Sequence, residues 1–371
     1  MALRLFLAGD VMPARGIDQI LPHAGDPRLY ETWVADAREY VRLAERRNGR
    51  VPRPVGFTYA WGVALDILAL ERPDLRLINL ECAVTQRGLP AAKGIHYRLH
   101  PDNLPLLDAA AIDGCVLANN HVLDWGTDGL YDTLTYLEHH ALRHAGAGHD
   151  LSEAEAPAAF PLANGQRLLL FAFATRDCGV PADWAASAQR PGVARLAALD
   201  TNALTHIRGL VHDARHSGDQ TVVSLHWGGN WGYDVPDEQR RFAHRLIDEA
   251  GVDLVYGHSS HHPKGFEIHH ERLILYGCGD LINDYEGVAG HEGYRSDLAL
   301  MYFPELDDQG RLSRLQLAPL RLCHLHLEHP SELDRQWLRE TLERECTRLD
   351  NPGHMVESTS GRWEWHRKKL G

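Results

Sequence analysis

Short apolar runs alternate along this chain with longer amphipathic stretches, a rhythm that predicts strands and helices in turn. Leu3–Ala8 is apolar apart from Arg4, and Leu75–Leu80, Ile112–Ala118, Arg167–Ala174, Thr221–Leu225, Val252–Tyr256, Leu273–Tyr276 and Leu298–Phe303 repeat the pattern. Such runs fit strands buried on both faces of a parallel sheet. Between them, Trp61–Arg72, Thr127–His144 and Glu238–Ala250 have helical spacing, and Leu130, Leu134 and Leu137 share one face of the second. Residues 21–56 are polar and rich in Arg, Glu and Pro, with an amphipathic portion near 31–47, and read as an excursion covering one side of the strand ends. After a late strand at Arg311–Leu320, residues 331–349 form an amphipathic helix, and Gly361–Gly371 is expected to be peripheral packing or disorder. No internal repeat or low-complexity linker divides the chain. One α/β domain over 1–330, with 331–371 packed on it, is the expected organisation.

Chemistry gathers where these runs stop. Gly9-Asp10 follows the first run, Asn79-Leu80-Glu81 closes the second, and Asn119-Asn120-His121 follows the third. His226 closes a β-branched run, and Gly257-His258-Ser259-Ser260-His261-His262 follows another. Side chains at the C-terminal ends of strands in an α/β protein lie where ligands and metals bind. Taken singly, each has a plainer reading: Asp10 as a helix cap, Glu81 as a solvated strand end, His226 as a satisfied core histidine. Asp124, three residues after His121, is placed to orient that imidazole if a helical turn begins there. Gly277 and Gly279 allow the backbone to approach the same region closely.

Composition narrows the partners. The formal net charge is −13, which argues against nucleic acid or an anionic membrane surface. The six cysteines are scattered without a CxxC pair and read as reduced, buried thiols of a cytoplasmic protein. No signal peptide is visible, and no apolar run reaches the length of a membrane span.

In this order, Gly-Asp, Asn-Leu-Glu, Asn-Asn-His, His-Trp-Gly and Gly-His-x-x-His resemble the motifs of the CapA-like (poly-γ-glutamate capsule biosynthesis) family, a branch of the calcineurin-like metallophosphoesterases. The resemblance covers Leu3 to Phe303. It implies a calcineurin-like four-layer α/β/β/α sandwich with a metal site at the strand ends. Asp10, Glu81, Asn120, His226, His258 and His261 would be the ligands or near-ligands, and His121 the acid/base. Three positions depart from the wider pattern: Met12 where an imidazole is usual, Glu81 for an aspartate, and two serines between His258 and His261. Met12 is a poor ligand for a hard or borderline cation, so one of two metal positions is expected to be weakened.

The implied activity is metal-dependent hydrolysis of a phosphoester or amide in a peptide or polyglutamate-type substrate. Lasso-peptide epimerases resemble the same group, and peptide Cα epimerisation would need opposed acid and base. Asp10, His121 with Asp124, and His291 with Asp297 are the candidates for that work. Arg15, Trp227 and Tyr285 are candidate substrate contacts, with Trp125 and Trp231 beside them. A non-catalytic role in polyglutamate assembly is the third reading. The mixed oxygen and nitrogen donors fit Mn²⁺, Fe or Zn²⁺, and a single water-rich site would also suit Ca²⁺.

Overall fold

The computed structural model describes residues 2–368 and contains two large sheets packed face to face, with helices on both outer surfaces, beside two small two-stranded ones. In the larger sheet the strands run in the order Gly353–Glu357, Trp363–Arg367, Leu312–Cys323, Leu298–Leu306, Leu3–Val11, Leu75–Leu80, Gly114–Val116, Arg143–Ala145. The last four of these are parallel, while Leu298–Leu306 pairs antiparallel with Leu3–Val11. In the smaller sheet the order is Phe266–His269, Arg272–Leu275, Leu254–His258, Gln220–His226, Arg167–Ala174, Ala158–Pro161.

Strand alternation builds the layers. Along Arg167–Ala174, Leu168, Leu170, Ala172 and Ala174 join the core between the sheets. Leu169, Phe171 and Phe173 face the opposite way, onto the helices Thr201–Ala214 and Asp237–Ala250. Val222, Leu254, Tyr256, Leu273 and Leu275 repeat the inward set, and Val223, Val255 and Ile274 the outward one. A period of two with both faces apolar is what a sheet covered on both sides requires. On the far side of the larger sheet, the helix Gly126–His139 buries Leu130, Leu134 and Leu137. The expected α/β/β/α sandwich is therefore present. Tyr256 ties its two sheets together by donating its hydroxyl to the Ala8 carbonyl.

Two expected elements differ. The helix predicted over 127–144 stops at His139, Ala141 turns with φ 55°, and Arg143–Ala145 becomes an edge strand. The tail is no loose appendage: Trp363–Arg367 pairs with Leu312–Cys323 and Trp363 is fully buried. Helix Glu332–Arg348 begins with a Ser331–Asp334 capping box, in which each side chain satisfies the other's backbone N–H. Residues 1 and 369–371, the outer ends of the two expected ranges, lie outside the described residues.

Candidate metal centre

Both sheets aim the C-terminal ends of their parallel strands at one buried point. Asp10 is near the end of Leu3–Val11, Glu81 directly follows Leu75–Leu80, and His226 and His258 are opposed in register at the ends of neighbouring strands. Asp280 starts a short strand, Asp280–Ile282, that pairs in parallel with the end of the first, opposite Asp10. Glycine makes that pairing possible. A Cβ on Gly9 would lie 1.7 Å from the Gly279 carbonyl oxygen, so no other residue fits without the strands separating.

Ligand-type atoms of Asp10, His226 and His258 lie within 4.8 Å of one another, and so do those of Asp10, His261 and Asp280. Asp10 belongs to both groups. The Nδ1 atoms of His226 and His258 are 2.6 Å apart, His226 Nε2 is 3.1 Å from Asn120 Oδ1, and the Ser224 hydroxyl is 2.6 Å from His258 Nε2. Across the centre His261 Nδ1 is 2.9 Å from Asp280 Oδ1, and Asn283 donates to Asp280 Oδ2 at 2.9 Å. Asn79 donates to both Asp10 (2.8 Å) and Glu81 (3.1 Å), holding the two carboxyls side by side. Glu81 Oε1 is 3.8 Å from Nε2 of both His121 and His226.

Electrostatically the centre is short of positive charge. Burial and the neighbouring Asp280 push the Asp10 carboxyl up to about 7, and burial with Asp10 beside it raises Glu81 well above the carboxylate range. Burial also lowers His258 to about 3 and His226 well below its usual value, so both imidazoles are neutral at pH 7, the form that coordinates a cation. Among the described residues no lysine or arginine lies within 4.0 Å of Asp10, Glu81 or Asp280. Asp10 Oδ2 is buried with no hydrogen-bond partner. An orphaned carboxylate oxygen inside such a cluster is the feature a bound divalent cation would satisfy, and the donor set fits one.

His121 stands at the edge of the cluster. Its Nδ1 is 2.7 Å from Asp124, which also accepts from Lys93 Nζ (2.7 Å) and the Tyr97 backbone N–H (2.6 Å). Burial outweighs Asp124 and lowers the imidazole to about 4. The turn expected from the three-residue spacing is present, since the Asp124 N–H bonds the His121 carbonyl.

Several expectations need correction. Trp227 is buried among the helices of the outer layer, its indole N–H bonded to the Tyr276 carbonyl and its ring stacked on Tyr276. It packs the core and cannot meet substrate. A cavity opens at His261 between Trp231 and Tyr285, and Trp125, buried beneath the Arg98 guanidinium 3.8 Å away, does not border it. His291 and Asp297 do not pair: His291 stacks on Trp231 at 4.0 Å, whereas Asp297 binds Arg295. Arg15 borders that cavity, as Tyr285 does, but its guanidinium is held by Asp284, Glu31 and Tyr40. Nor does Met12 leave half the centre without ligands, because Asp280 and His261 flank Asp10 there. Asp280, Asn79 and Lys93 join the site without having been expected in it. For Asp280 the signal was present: Gly279-Asp280 repeats the Gly9-Asp10 dipeptide after an apolar run.

A layered α/β protein with a carboxylate–imidazole centre at its strand ends is thus defined by geometry alone. Residues 4–285 match the family model of the bacterial capsule synthesis protein PGA_cap, and the chain belongs to that family. It is 46% identical over 343 residues to a probable polyglutamine synthesis accessory protein of Mycobacterium tuberculosis, covering 92% of this chain and 90% of that one. The PGA biosynthesis protein CapA of Bacillus subtilis is 28% identical over 282 residues, 75% of this chain and 69% of its own. A solved 5'-nucleotidase precursor from Thermus thermophilus aligns at TM-score 0.44 and 17% identity, over 94% of this chain and 59% of that one. No helix among the described residues is long and apolar enough to cross a membrane.

Proposed function

We propose that the chain is a metal-dependent hydrolase that cleaves an amide or phosphoester in a polyglutamate- or peptide-type substrate. The observation that carries this reading is the sharing of Asp10 between two ligand groups, one nitrogen-rich and one carboxylate-rich. Paired groups about one carboxylate are the arrangement a two-cation clamp uses. Asp10, Asn120, His226 and His258 would hold one cation, and Asp10, His261 and Asp280 the other, with Glu81 beside both. Bound there, divalent cations supply Lewis acidity and lower the pKa of water.

The chain's own residues do the rest. Asn79 fixes the Asp10 and Glu81 carboxyls, and Ser224 and Asn283 orient His258 and Asp280. Asp124 accepts the Nδ1 proton of His121 and so leaves Nε2, which faces Glu81, free to take a proton and return it to a leaving group. Epimerisation needs a second acid or base on the opposite face of Cα, and the His291–Asp297 pair offered for that role is not assembled. Hydrolysis is therefore the better supported chemistry.

Protein stripped by chelation and reloaded with Mn²⁺, Fe²⁺ or Zn²⁺ would be incubated with γ-linked oligoglutamate, an aryl phosphate and a model peptide, in heavy water. Metal-dependent release of shorter products or phosphate is expected. Deuterium uptake at Cα without cleavage would replace this reading with epimerisation, and full activity after chelation would remove the metal from it.

A further inference from the structure

The cleft does not end at the centre. A cavity of about 550 Å³ opens at His261 and is walled by Trp33, Ile95, Trp231, Tyr285 and Val288. A second cavity, of about 350 Å³, shares Tyr285, Val288 and His291 with the first and is lined further out by Arg46, Arg47, Arg295 and Arg321. Together they form one arm leading from the metal centre to a group of arginines.

That group is exceptional in this chain. The protein carries −13 overall, yet residues 38–53 hold six arginines against two glutamates. Arg38, Arg42 and Arg53 are paired with Asp36, Glu39 and Glu45. Arg46 and Arg47 are exposed and, among the described residues, have no carboxylate within 4.0 Å. The arm's own acids are mostly engaged: Glu286 accepts from Asn48 and from the backbone N–H groups of His324 and Leu325. Asp297 lies between Arg295 and Arg321, and Glu292 accepts from the Gly290 N–H. Arg321 Nε is buried and makes no hydrogen bond, and its charge is met by Asp297 at 3.5 Å. Arg46 and Arg47, free of carboxylate partners beside an apolar wall, suit a ligand with carboxylates set along a methylene-rich chain.

We propose that this arm is a docking groove for oligoglutamate. Carboxylates away from the reacting bond sit on Arg46 and Arg47, and the chain's methylenes lie against Trp231 and Tyr285. The groove rests on the hydrolase reading for what happens at the centre, but its binding role stands apart from catalysis. It also accounts for how a net acidic protein gathers an acidic polymer, since a local patch of opposite sign steers encounter despite the overall charge.

The test is binding to the whole chain after chelation, followed by tryptophan fluorescence at low salt, with γ-linked oligoglutamate as probe. Oligoglutamine and a single-stranded oligonucleotide serve as controls. Replacing Arg46→Glu and Arg47→Glu together, two exposed residues without partners to lose, should weaken oligoglutamate by about tenfold and flatten its salt dependence. Oligoglutamine should bind weakly to both proteins. Unchanged affinity in the double variant, equal binding of oligoglutamine, or tighter binding of the oligonucleotide would overturn the groove. Binding with no cleavage by the metal-loaded protein would leave the groove standing and remove the hydrolase. Cleavage with an unchanged KM in the double variant would do the opposite.

Discussion

Two clusters of histidine and carboxylate in this molecule use the same residue types and reach opposite electrostatic states. At the strand ends, Asp10, Glu81 and Asp280 meet the neutral imidazoles of His226 and His258 and the His261 imidazole, which Asp280 raises against burial. Among the described residues no guanidinium or ammonium lies within 4.0 Å of the three carboxyls, and Asp10 is pushed up to about 7 by burial and by Asp280. At the edge of the smaller sheet, His244, Glu267 and His269 also converge, and the rings of His244 and His269 stack at 3.9 Å. There Arg240 reaches Glu267 with both Nε and Nη2, at 3.2 and 3.1 Å, and Tyr276 donates to it at 3.0 Å. With His244 Nε2 also 3.0 Å away and contributing most, Glu267 is held at about 2, a settled anion. The contrast teaches how to tell a candidate site from a brace: one carboxylate cluster has no guanidinium to pair with and offers its oxygens to a cation, and the other is already paired with its arginine.

The sharpest way to break the comparison is Asp10→Asn. As the residue common to both ligand groups, Asp10 should be needed for both cations, and activity should fall by about a thousandfold or more. Metal analysis of the purified variant checks this, and wild-type metal content would show that Asp10 is not shared. His226→Ala and Asp280→Asn come next and separate the two halves. Each should remove one equivalent of metal and leave the other, and loss of both from either variant would mean the halves form one site. His121→Ala should retain both metals and lower kcat by about 10²–10⁴-fold, the usual scale for a proton-transfer group. A lost metal in that variant would make His121 a ligand.

The framework of this centre was legible because buried parallel strands are written as apolar runs, and a residue just past such a run has one place to go. Asp10, Glu81, His121, His226 and His258 were found that way. Asp280 was not, because the strand it opens is three residues long and sits in a loop; its partner, Asp10, is far away in sequence. Only the repeated Gly-Asp betrays it. Trp227 misleads for a related reason: it follows a side chain that points at the centre, so alternation sends it toward the helices. The helix after Gly126 ends short of the range its spacing predicts because Ala141 takes a left-handed conformation that alanine does not advertise. Trp363 and Trp365 carried the alternation of a strand, but Arg367, Lys368 and Lys369 around them looked like a solvated end.

The smallest expected effect tests the other half of the comparison. Glu267→Gln should leave metal content and kcat unchanged, because the Glu267 cluster braces the helix Asp237–Ala250 against the hairpin Phe266–Leu275 and does no chemistry. Burial alone would raise its carboxyl, but the bonds from His244, Arg240 and Tyr276 outweigh that and hold it at about 2, below its ordinary 4.5. A depressed carboxyl stabilises the fold fully above its unfolded value and loses that contribution as pH falls from 4.5 toward 2. The variant should therefore be less stable than the parent at pH 7, by roughly 1–2 kcal/mol after allowance for solvent screening. The gap should shrink through this acid window. Denaturant unfolding of the metal-free proteins at several pH values measures it. A gap independent of pH would mean that Glu267 acts by packing, and a loss of bound metal in the variant would make the edge cluster a site after all.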